Sequence, residues 1–190
     1  MDAPLFDIDT PPEPSEIPTP RMLSWAKNST LYRLERQMLT EKQLSDAIRR
    51  KAKEKFEGIG EAQIRACADF AVKLGYDLGA LDDTAYAGIA TRSGVRSGRS
   101  KRAIAQRLAV KGIARETVTV ALEEADDLYA AVVMARKRAF GPFRKIDLDE
   151  KRTAKELSAF ARGGFGFDLA RKVFDMSLED AEEILFERRL

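Results

Sequence analysis

The chain has 190 residues, with 33 bases against 31 acids, one cysteine and no histidine. A length of this order suits one large domain or several small helical modules, and 34% charged residues, against an ordinary quarter, favour an architecture with much exposed surface. A single cysteine excludes an internal disulfide, and the lack of histidine removes the usual zinc clusters and the commonest general base.

Residues 1–20 hold six of the seven prolines and five acids (Asp2, Asp7, Asp9, Glu13, Glu16) with no base. Proline removes backbone donors and disfavours helix in the residue before it, so this stretch reads as a disordered acidic tail. It has little to add to a core, and deleting it should leave the thermal midpoint within about 2 °C. A docking motif and a solvated tail are both open readings. Without the tail 33 bases face 26 acids, a net charge of +7 instead of +2, which admits a polyanionic partner or an acidic protein surface.

Beyond residue 20 helical spacing dominates and strand alternation is nowhere sustained. Leu31, Leu34 and Met38 form the first stripe; Leu44, Ala47 and Ile48 the second, with Thr40 at its N-cap position. The clearest stripe is Ile64, Cys67, Ala68, Ala71 and Leu74, which makes Cys67 a small core residue instead of a nucleophile. Leu81, Ala85 and Ile89 follow, then a helix opened by Ser100, then Val118, Ala121 and Leu122. Further stripes run through Leu128 and Val132; Ala154, Leu157 and Ala161; Ala170, Val173 and Phe174; and, after Ser177, Leu178, Ala181 and Leu185.

The helices group in threes. Asp82-Asp83 and Asp126-Asp127, 44 residues apart, each open a triplet and are followed by Tyr86-Ala87 and Tyr129-Ala130. Acids there complement the positive end of a helix dipole, which accounts for them better than a carboxylate metal site does. Gly112-Ile113 and Gly164-Phe165 close the middle helices, as a left-handed cap followed by an apolar residue packing back. The expected fold is all-α: three tandem three-helix repeats at 21–78, 81–124 and 125–176 in an elongated, curved arrangement, with a C-terminal helix at 177–190.

The bases are concentrated. Arg92, Arg96, Arg99, Lys101, Arg102, Arg107, Lys111 and Arg115 form a run with no acid among them, and Arg136, Lys137, Arg138, Arg144 and Lys145 begin a second cluster diluted by Asp147, Asp149 and Glu150. Either could meet phosphates or carboxylates, and either could be a solvated helix face. The first run carries no aromatic residue for stacking on bases.

Leu81-Asp82-Asp83 with Tyr86-Ala87, then Leu108 and Lys111-Gly112-Ile113, resemble the second-repeat signature of the RecX family. Arg162-Gly163-Gly164-Phe165 and Arg171-Lys172-Val173 resemble its third repeat, and Leu31-Tyr32, Arg36, Thr40 and Leu44 its first. The chain departs from the pattern at Gly163, where a second arginine is common, and in the longer break Phe56-Glu57-Gly58-Ile59-Gly60. The resemblance covers residues 22–176. It implies a non-enzymatic regulator of homologous recombination and DNA repair that binds RecA recombinase filaments and inhibits ATPase and strand exchange. Some members also bind single- or double-stranded DNA.

The remaining expectations are a cytoplasmic monomer with no cofactor, no metal and no membrane association: no apolar run approaches the roughly 20 residues of a span, and no basic and apolar leader opens the chain. A general nucleic-acid-binding helical protein and a helical scaffold for another partner are the alternative functions.

Overall fold

The computed structural model describes residues 16–187, so residues 1–15 of the expected tail lie outside the described residues. Among the described residues the chain is all-helical, and it divides after Leu81 into two compact units.

The first unit contains α1 (Pro20–Leu34), α2 (Glu41–Lys55) and α3 (Glu61–Asp77). Thr19 and Pro20, assigned to the tail from sequence, instead open α1: the Thr19 hydroxyl accepts from the Met22 amide at 3.3 Å, and Pro20 takes the first turn, where no amide donor is required. Thr40 forms a reciprocal capping box with Gln43, each side chain accepting the other's amide at 3.2 Å. The apolar faces meet around Ala26, Leu44, Ile48, Cys67, Ala68 and Ala71. Leu81 closes this cluster over Gly75, where an added Cβ would lie 2.7 Å from its side chain. Cys67 is fully buried, and burial pushes its thiol pKa up, as befits a core residue.

The second unit contains α4 (Asp83–Arg96), α5 (Lys101–Val110), α6 (Arg115–Leu122), α7 (Asp127–Arg138), a 3-10 turn (Gly141–Phe143), α8 (Glu150–Arg162), α9 (Phe167–Phe174) and α10 (Leu178–Glu187). Asp82 and Asp126 are the N-caps of α4 and α7, accepting backbone amides at 2.8 to 3.0 Å, and Asp83 and Asp127 lie in the first turns. In α7 the six residues Ala130 to Ala135 are all buried, as in a helix packed on every side. It packs against α4, α9 and α10, and Ala181 and Leu185 of α10 join the same core. Helices α5 and α8 end in the same way: Gly112 and Gly164 have φ of 84°, and the amides of Ile113 and Phe165 reach back to Leu108 and Phe160 at 3.1 Å. Ile113 and Phe165 are buried against the helices they close.

Candidate functional site

The candidate site grows from the turn between α4 and α5. Helix α4 ends with Gly98 at φ 77°, its amide bonded to Val95 at 2.9 Å and that of Arg99 to Gly94 at 3.0 Å. A Cβ on Gly98 would lie 2.9 Å from the Met134 nitrogen and 3.2 Å from the Ala130 oxygen. The turn therefore rests directly on the backbone of α7, which only glycine permits.

Polar contacts fix the turn there. Lys137 donates its ammonium to the Ser97 carbonyl at 3.1 Å. Ser100 is fully buried; its hydroxyl accepts from the Ala103 amide at 3.1 Å and donates to the Gly163 carbonyl at 2.7 Å. The Lys101 amide donates to the Asp127 carboxylate at 2.6 Å. The start of α5 is thus held against the start of α7 and the end of α8.

This arrangement turns two helix faces toward each other. Ala103, Gln106 and Arg107 of α5 and Met134, Lys137 and Arg138 of α7 each follow i, i+3, i+4 spacing, so each trio shares one face. Together with Arg99 and Arg162 they line an open groove of about 450 Å³ with five bases and no carboxylate. None of Arg99, Arg107, Arg138 and Arg162 forms an ion pair among the described residues.

Four of the five groove bases were candidates from sequence; Arg162 was not. The sequence marks its turn only as the close of a middle helix, with Gly163 a departure from the family pattern. The glycine has a local reason: an added Cβ would lie 3.1 Å from the Phe160 carbonyl and 3.3 Å from the Met134 sulfur.

The other candidates lie elsewhere. Arg92 and Arg96 line a separate cleft of about 700 Å³ with Glu123 and Glu124, where the charge is mixed. Lys101 is half-buried and Arg102 exposed in the first turn of α5; Lys111 lies 5.8 Å from the Tyr86 ring centre, and Arg115 is exposed at the start of α6. Arg136, on another face of α7 from the groove residues, lines a depression with Glu182 and Glu183 of α10. Lys145 is exposed in the segment leading to α8, beside Asp147.

Arg144 is committed to the core. Its guanidinium donates to both oxygens of Glu156, at 3.0 and 2.8 Å, and lies 4.8 Å from the Phe174 ring centre. Glu156 also accepts from the Gly141 amide at 3.0 Å and from Arg152 at 3.1 Å. Burial alone would raise the Glu156 pKa, but the bonds from Arg144, Gly141 and Arg152 outweigh it and hold the carboxyl below its ordinary value.

In the first unit, Arg49, Arg50, Lys51, Lys53 and Lys55 form an exposed basic run on α2 that was not among the candidates. Two of these bases are answered locally, Lys51 by Glu54 and Lys53 by Glu61.

The model for the RecX second three-helix domain matches residues 82–122, the span of α4 to α6. The regulatory protein RecX of Agrobacterium fabrum (strain C58 / ATCC 33970) is 62% identical over 173 residues, covering 91% of this chain and 94% of the relative. The chain belongs to the RecX family of regulatory proteins. The RecX of Myxococcus xanthus (strain DK1622) is 36% identical over 165 residues, covering 82% of this chain and 88% of its own. The RecX fold is shared with two crystal structures. A regulatory protein RecX aligns with TM-score 0.62 at 24% identity over 82% of this chain and 72% of its own. RecX from Lactobacillus salivarius aligns with TM-score 0.63 at 20% identity over 87% and 99%. Among the described residues, no helix is long and apolar enough to cross a membrane.

Proposed function

We propose that this RecX-family chain is a non-enzymatic regulator of homologous recombination that binds RecA nucleoprotein filaments and lowers their ATP turnover and strand exchange. The observation that carries this reading is the 62% identity to a curated regulatory protein RecX over 91% of the chain. The acid-free groove supports it, because a filament built on DNA presents the dense negative charge that five converging bases attract. The chain acts in the cytoplasm as a monomer, with no cofactor, and the filament is its partner.

The same groove favours a second reading, a general binder of single- or double-stranded DNA. Single-strand-dependent RecA ATPase, measured with and without the protein on pre-assembled filaments, separates the two. A dose-dependent loss of ATP turnover is expected. Tight binding to naked DNA with no effect on pre-assembled filaments overturns the filament reading.

A further inference from the structure

We propose that the groove between α5, α7 and the end of α8 is a track for consecutive phosphates of a nucleic-acid strand, gripped by Arg99, Arg107, Arg138 and Arg162 without reading base sequence. The proposal deepens the filament reading and rests on it for its setting, since a recombinase filament carries such a strand.

The chemistry follows from what lines the groove and what does not. Four arginines and Lys137 line the groove with no carboxylate among the lining residues, so the groove concentrates like charge that an anion relieves. The Lys137 ammonium is already bonded to the Ser97 carbonyl, which leaves the four guanidinium forks as the principal donors. A nucleic-acid strand carries a charge every ~3.4 Å along its axis, a denser array than separate acidic side chains offer without a scaffold of their own. Ser97, Gly98, Ala103, Met134 and Gly163 provide small or apolar walls, and no aromatic ring lines the groove. Bases therefore have no stacking platform, and contact is confined to the backbone.

The groove is also preorganised. Ser100 ties the start of α5 to the Gly163 carbonyl at 2.7 Å, and Gly98 sets the Arg99 turn on the α7 backbone. Four separate elements, the α4–α5 turn, α5, α7 and α8, thus present their bases before any ligand arrives.

The test uses the full chain and a fluorescent oligothymidylate, followed by anisotropy between about 50 and 200 mM salt, where each single-strand phosphate contact contributes ~0.7 to the log–log slope. Arg107→Ala and Arg138→Ala should each flatten the slope by ~0.7, so that each loses roughly 2.6-fold of the salt-induced weakening over that range. Arg92→Ala and Arg115→Ala, outside the groove, should match the parent. Circular dichroism should show unchanged helix in all four variants, since these side chains are exposed. The proposal is overturned if the parent does not bind the oligothymidylate at the lowest salt, if the groove variants bind like the parent, or if the outside variants lose as much.

Competitors identify the chemistry. Duplex DNA and unlabelled single-stranded oligonucleotides of mixed-base or uniform sequence should displace the probe, because each carries the same phosphate track. Polyglutamate displacing it equally well at equal charge makes the groove a general acidic-surface site and overturns the proposal, as does inorganic pyrophosphate at equal phosphate concentration. The same groove variants in the RecA ATPase assay keep the two readings apart. A parent that inhibits ATPase while groove variants leave oligonucleotide binding unchanged sinks the phosphate track alone. Groove-dependent binding with no effect on filaments sinks the filament reading alone.

Discussion

The buried hydroxyl of Ser100 donates to the Gly163 carbonyl at 2.7 Å across 63 residues of chain, while accepting the Ala103 amide at 3.1 Å. One side chain thus caps α5 and joins it to the end of α8. Ser100→Ala should cost about 2 kcal/mol, from a lost cap of ~1 kcal/mol and a half-buried carbonyl left without its partner. Ser177, an exposed cap whose hydroxyl accepts from the Asp180 amide at 3.0 Å, provides the comparison. Ser177→Ala should cost ~1 kcal/mol or less. Denaturant midpoints at constant slope measure both, and equal losses would mean that the Gly163 bond contributes nothing.

Gly98 and Ala139 occupy the same left-handed cap position, at φ 77° and 53°. Gly98→Ala combines a strained backbone with a Cβ 2.9 Å from the Met134 nitrogen, so it should cost more than ~2 kcal/mol. Ala139→Gly should do the reverse. Relief of ~1–2 kcal/mol of left-handed strain outweighs the ~0.4–1 kcal/mol of added unfolded-chain entropy. A gain of about 0.5–1 kcal/mol in chemical denaturation is expected, and a loss would show that Ala139 is held there without strain.

The helices were legible because their stripes repeat locally. Ile64, Cys67, Ala68, Ala71 and Leu74 are read from spacing alone; α3 buries the first four, together with Gln63 and Gly75, and leaves Leu74 half-buried. Thr40, Ser100 and Ser177 were recognisable as caps because the amides they serve lie three residues away. The groove was not legible as a unit. Arg107, Arg138 and Arg162 line one groove through contacts distant in sequence, the Gly98 turn resting on α7 and the Ser100 bond to Gly163, and nothing near 98 in the sequence announces either. Arg144 reads as one more surface base in a charge run, since its partner Glu156 lies twelve residues on and is buried from another helix. Thr19 and Pro20 were hidden by composition: a proline-rich acidic stretch masks a cap and a first helical residue that are ordinary in themselves.

That last point changes the expected effect of removing residues 1–20. Gln63 is buried and donates its amide to the Ile17 carbonyl at 2.9 Å, and Thr19 caps α1. Losing a cap of ~1 kcal/mol and a buried partner worth ~1–3 kcal/mol should destabilise by at least about 2 kcal/mol. At roughly 2–4 °C per kcal/mol, the thermal midpoint should fall by about 4 °C or more. A shift within about 2 °C, as composition alone suggests, would mean that Ile17 and Thr19 contribute nothing to the fold.

Glu156 makes stability depend on acid. Its carboxylate is fully buried and receives Arg144, Arg152 and the Gly141 amide, which together outweigh burial and depress its folded pKa. A depressed folded pKa contributes stability that is fully present above the unfolded value, near 4.3, and is lost as pH falls through the folded one. Glu156→Gln removes that contribution. It keeps the volume and some hydrogen bonds but leaves two guanidinium groups facing a neutral amide, and because both arginines keep partial solvent contact the cost at pH 7 should be about 2–3 kcal/mol, below the full penalty of a broken buried pair. As pH falls below ~4.3 the unfolded chain takes up the proton first, so the gap begins to close there, and the two stability curves should converge only once pH has passed below the depressed folded pKa. Chemical denaturation of parent and variant across this range measures the gap. A difference that stays constant from neutral pH into acid would show that the Glu156 charge does not stabilise the fold.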